Sequence, residues 1–313
     1  MKLASVLVGL LGGGIFCLPV AAQDPEDALP SGRYTVKSMA FEELSDRNLS
    51  RLGETALHLK TVQWQHSESD HFIFHTETGF SAPQLAVVAE WSYRQIKKHL
   101  GITQDLFERK CHVYVFLNEP VWHEFVGTGK LEPWTGGWCT GRELFFQSRP
   151  HFRFQGTTLP HEVTHLVLHR FVNGDVPLWL NEGFAEFEGI RLYRTYLKER
   201  NYTLTNIPDH LARDRYIPLK DLTEAVDYPR TSDEVAAFYT ESQRLVGFLY
   251  YQHGGMNLLL RFIKLQSEGA RFDSAWRDVY SSKYSDLQAF ENKFAAYLTS
   301  AKDSDRAGLT SDR

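Results

Sequence analysis

The hydrophobic pattern changes its period at about residue 157, and this switch limits the fold more than any other feature of the chain. Upstream of it, apolar residues come in short runs. His71-Phe72-Ile73-Phe74-His75 alternates, with Phe72 and Phe74 on one face, as a half-buried strand does. Residues 111–117 are β-branched and aromatic, and residues 143–147 read as a third strand after a Gly-rich turn at Gly136-Gly137. Between the first two strands, residues 83–100 place Leu85, Val88, Trp91, Ile96 and Leu100 near one helical stripe, and Gly101 is the stop signal. Downstream the signal is almost wholly helical, with helices expected over 159–172, 177–196, 233–252, 256–267, 272–280 and 286–299. Strands first and helices later predict an α+β fold. We expect a mixed-sheet lobe over 66–156, a helical lobe over 157–299 and a cleft between them.

The ends of the chain read differently. Residues 1–22 have the form of a secretory signal: Lys2 at the start, an apolar stretch from Leu3 to Pro19, small residues Val20-Ala21-Ala22, then polar Gln23-Asp24. The apolar stretch is short for a membrane span and has no stop-transfer flank. An exported protein is therefore expected, periplasmic or secreted, with no transmembrane anchor after cleavage. Residues 23–35, with Pro25 and Pro30, read as a linker. Residues 36–65 carry a mixed helical pattern, and the two segments together form an N-terminal extension. Residues 300–313 read as a polar tail. The net charge is −5 and no block of five Lys or Arg occurs, which argues against a nucleic-acid partner. Signal cleavage leaves Cys111 and Cys139. An oxidising compartment is compatible with a disulfide closing a loop of roughly thirty residues, or with two buried thiols.

The chemistry lies in Leu159-Pro160-His161-Glu162-Val163-Thr164-His165, which contains His-Glu-x-x-His. Thr157 or Thr158 can cap a helix here, Pro160 is tolerated in the first turn, and Asn173-Gly174 is a stop signal. On a helix, residues four apart share a face, about 6 Å apart along the axis. Two imidazoles so placed can converge on one Zn²⁺ at about 2.0–2.1 Å each. Glu162, one position after His161, points off that axis but within reach of water beside the metal, which is the place of a general base. A catalytic zinc needs a third protein ligand and an open position. Glu182, in Pro177-Leu178-Trp179-Leu180-Asn181-Glu182-Gly183-Phe184-Ala185-Glu186, would face the histidines if a second helix ran back beside the first.

Trp179-Leu180-Asn181-Glu182-Gly183-Phe184-Ala185 resembles the third-ligand segment of aminopeptidase N-like enzymes. The block from His161 to Glu186 most resembles the peptidase MA-like group of gluzincin metallopeptidases. The element order resembles theirs over roughly residues 66–298, and the sharp part is 159–188. The resemblance implies a zincin-like fold, with His161, His165 and Glu182 as zinc ligands and Glu162 as base. Glu186, four residues after Glu182, matches an acid that hydrogen-bonds a ligating histidine in thermolysin-like relatives. His169 is another turn along from His165 and is read as a packing or surface histidine. Tyr239 resembles the transition-state tyrosine of aminopeptidase N-like enzymes, although Glu241-Ser242 stands where those enzymes carry Lys-Gly.

The implied reaction is hydrolysis of a peptide or protein substrate by metal-activated water, with Tyr239 as oxyanion donor. In zincins an edge strand beside the active-site helix pairs with extended substrate, and 143–147 is the candidate here. No Gly-x-Met-Glu-Asn segment of the kind that binds a free amine in aminopeptidases stands upstream of His161, which favours an endopeptidase. The rival readings are an aminopeptidase, a zincin-fold scaffold of the cell envelope that cleaves nothing, and, ranked last, a structural zinc site. The intact Glu162 argues against a scaffold, and the missing fourth ligand against a closed structural site.

Overall fold

The computed structural model describes residues 36–78, 82–131, 136–148, 157–172, 174–199 and 216–307. The signal segment 1–22, the linker 23–35 and the end of the polar tail lie outside the described residues. Among these residues no helix is long and apolar enough to cross a membrane.

The α+β expectation holds. A six-stranded mixed sheet has the order β1-β2-β3-β4-β6-β5, formed by β1 (Lys37–Met39), β2 (Trp64–Glu68), β3 (Phe72–Glu77), β4 (Cys111–Phe116), β5 (Gly137–Cys139) and β6 (Glu143–Gln147). β3, β4 and β6 run parallel, and the other neighbours are antiparallel. The expected strands at 71–75, 111–117 and 143–147 are β3, β4 and β6. The segment read only as an extension supplies β1, the start of β2 and helix α1 (Arg51–Leu57).

Helices cover both faces of the sheet. On one face α1 and α3 (Glu119–Gly129) pack over Tyr114, Phe116 and Phe145, with Trp122, Phe125 and Val126 completing a buried cluster. On the other face α2 (Ala82–His99) lies along β3, with Tyr93 edge-on to Phe72. Because both faces are covered, every residue of β3 and β4 is buried, and the alternation in 71–75 separates two interiors rather than interior from solvent.

The chain divides into two compact units, broken after Arg170, Phe187 and Pro208. The first holds the sheet, α1 to α3, nearly all of α4 (Thr158–Phe171) and the C-terminal half of α5 (Leu178–Glu199). Helix α4 thus groups with the sheet rather than with the later helices. The second holds the N-terminal half of α5 with α6 (Leu219–Thr223), α7 (Ser232–His253), α8 (Gly255–Ser267), α9 (Phe272–Tyr280) and α10 (Leu287–Ala307). Its core includes Trp179 against Phe262 and Phe272, and Phe248 against Phe290 and Phe294. Thr231 and Glu234 form a capping box that starts α7.

Three histidines form a file across β2, β3 and β4, with His75 and His112 buried and His66 half-buried. His66 Nδ1 lies 2.8 Å from His75 Nδ1, and His75 Nε2 lies 2.9 Å from His112 Nδ1. A neutral imidazole has one N–H, so each link is filled with one proton and all three rings stay uncharged. Burial holds His75 well below the usual histidine range and brings His112 down to about 4. The unfolded chain therefore binds the extra proton first, and the file's contribution to stability is lost as pH falls from about 6.5 towards 4. Glu241 and His71 have raised values and act with the opposite sign, so the wild-type curve alone does not isolate the file. The expected result is a difference: relative to His112→Asn, wild type loses at most about 3 kcal/mol between pH 7 and pH 4. Urea unfolding of both proteins across that range measures it, and a constant gap contradicts it.

Candidate metal centre

Helix α4 presents His161, Glu162 and His165, all fully buried. The helix continues across Pro160 because proline in a first turn forfeits no intrahelical bond. His161 N–H donates to Thr157 O at 2.9 Å. Four-residue spacing brings the two imidazoles together, with ring centroids 4.7 Å apart and planes 78° to each other. Their Nε2 atoms lie 3.0 Å apart. Two nitrogens on a tetrahedral zinc stand about 3.3 Å apart, so the pair is close to chelating geometry.

Glu182 completes the group. One ligand atom each from His161, His165 and Glu182 lie within 4.8 Å of one another, and all three residues are buried. Two imidazoles and one carboxylate form a donor set suited to a divalent ion such as Zn²⁺. Close helix packing accompanies this arrangement in both units. A Cβ added at Gly189 of α5 would sit 3.0 Å from Thr157 O and 3.4 Å from His161 Cβ. A Cβ added at Gly183 would sit 2.5 Å from Ser242 O on α7.

The remaining sequence-derived residues are placed as follows. His169 is half-buried, its ring 6.5 Å from that of His165, and it is not part of the ligand group. Glu186 is half-buried, and its charge acts on Tyr239. Tyr239 is almost fully buried; burial first, then the charge of Glu182, raises its hydroxyl well above the usual tyrosine range, so it remains a hydrogen-bond donor at neutral pH. Tyr228 O–H donates to Glu182 Oε1 at 2.7 Å. No spacing rule points to Tyr228, because it reaches Glu182 from the connection between α6 and α7.

Two expectations about the sheet are corrected. Strand β6, the candidate for pairing with substrate, is not an edge. It lies between β4 and β5, and Glu143 at its start is buried, accepting from Ser50 N–H at 2.8 Å and from the Ser50 hydroxyl. Among the described residues β5 is the edge on that side of the sheet, with β1 at the other, and Gly137, read as part of a turn, belongs to this strand. The parallel pairing of β4 with β6 puts the later strand inside and the earlier one outside.

The cysteines are two buried free thiols. β6 separates their strands, and two strand spacings of about 4.8 Å exceed the Cα separation a disulfide bridges. Burial pushes Cys111 up to about 12 and Cys139 higher still, with the Glu162 charge adding to the latter. Arg170, at the end of α4, donates to Gly141 O at 2.6 Å and to Cys111 Sγ at 3.3 Å, tying the β5–β6 turn to the helix.

Gly137 brings β5 against the expected base. A Cβ there would stand 2.9 Å from Glu162 Oε1. Gly137→Ala is therefore expected to displace the Glu162 carboxylate. Misplacing a reacting group by about 1 Å can cost roughly 10²-fold in rate, so on the expectation that Glu162 is the base of a peptide hydrolysis, that reaction should slow by about this factor with little change in melting temperature. Steady-state kinetics on the alanine variant would show it, and undiminished kcat/KM would contradict it.

The chain matches no protein-family model and no curated protein at a significant level.

Proposed function

We propose that this chain is a zinc-dependent endopeptidase of the gluzincin class, similar to the peptidase MA-like group, with a zincin-like fold. The observation that carries this reading is the convergence of His161, His165 and Glu182, all buried, beside Glu162 on the same helix as the histidines. These three residues would hold Zn²⁺, which supplies Lewis acidity to a peptide carbonyl and lowers the pKa of nearby water.

The protein's own residues do the rest. Glu162 accepts a proton from the attacking water and passes it to the leaving amine. Tyr239 donates a hydrogen bond to the carbonyl oxygen as negative charge builds there. Glu186 is assigned the far N–H of a ligating histidine, where a carboxylate fixes the tautomer and raises basicity. The edge strand β5, Gly137–Cys139, suits main-chain pairing with an extended peptide, and the backbone contact at Gly137 would set that peptide beside Glu162. Residues 1–22 fit export, which puts the site of action in the periplasm or outside the cell.

The test is exposure of an unbiased peptide pool to the zinc-loaded full chain, with products mapped by mass spectrometry and Glu162→Gln run in parallel. Internal cleavage by wild type alone supports the endopeptidase. Release of single N-terminal residues identifies an aminopeptidase, and zinc retention without cleavage identifies a scaffold.

A further inference from the structure

We infer that Tyr228 is a positioning residue for the metal centre, acting through Glu182; the inference rests on the zinc-site reading above. Tyr228 lies 46 residues beyond Glu182, yet its hydroxyl donates to Glu182 Oε1 at 2.7 Å. Asn181 Nδ2 adds a longer bond, 3.4 Å, to the same oxygen. Donors on one oxygen restrict rotation of the carboxylate and favour ligation through the other.

The phenol is itself held in place. Its ring lies parallel to that of Tyr239, with centroids 6.2 Å apart and planes 13° apart, and edge-on to Phe238 at 6.4 Å. The packing therefore orients the hydroxyl independently of its bond to Glu182. A phenol is also the right chemical type for this task. An Arg or Lys could restrain the carboxylate equally well, but its positive charge would oppose a divalent cation beside it. A neutral O–H restrains without that penalty.

The experiment uses the full chain and Tyr228→Phe, which keeps the ring stack and removes only the donor. Zinc affinity is measured by competition with a chromophoric chelator, the d–d absorption of the cobalt(II)-loaded protein is recorded, and the metal-free proteins are melted. We expect zinc to bind about 10–100-fold more weakly to Tyr228→Phe, the cobalt spectrum to change, and the metal-free melting temperature to stay the same. Unchanged affinity with an unchanged spectrum overturns the positioning role and leaves the metal centre standing. Failure of wild type to bind zinc or cobalt overturns the metal centre itself, and the role of Tyr228 with it.

Discussion

Glu162→Gln is expected to lower peptide cleavage by about 10²–10⁴-fold while the protein still binds one zinc. Glutamine matches glutamate in shape and keeps hydrogen-bonding capacity, so the buried position beside Gly137 is still filled. What disappears is basicity. The loss corresponds to roughly 3–5 kcal/mol of activation free energy at 1.36 kcal/mol per factor of ten. His161, His165 and Glu182 are untouched, so metal content separates this outcome from loss of the site. Cleavage at the wild-type rate would assign the base to another residue.

The second large effect is on metal content and stability together. His165→Ala and Glu182→Ala each remove one of the three converging donors and are expected to purify with little zinc, against close to one equivalent in wild type. A metal that binds the folded chain stabilises it by RT ln(1 + [L]/Kd), about 4 kcal/mol at a thousandfold excess over Kd. A strong chelator should therefore lower the melting temperature of wild type and leave both variants unchanged. Full zinc content in Glu182→Ala would remove Glu182 from the ligand set and leave the histidine pair without the third donor a gluzincin needs.

Much of the architecture could be read in advance because the relevant signals are local. The alternation around Phe72 and Phe74, the branched run from Cys111 to Phe116 and the helical stripe of α2 report neighbours two to four residues apart. The histidine pair belongs to the same class, since four residues on a helix suffice to bring His161 and His165 together. Short elements escaped because three residues carry too little period. β1 and β5 are both of that length, and β5 opens on a glycine that resembles a turn.

Local spacing decided that a helix would present two imidazoles and a carboxylate from one His-Glu-x-x-His segment, and that strands would precede helices. It could not decide strand order, which depends on where a crossover returns the chain. The tertiary structure alone put β6 inside and β5 at the edge, kept Cys111 and Cys139 apart, joined three histidines across three strands and brought Tyr228 to Glu182. In each of these cases the partners are set by packing between segments distant in the chain, and side-chain periodicity within a segment carries no record of what that segment will face.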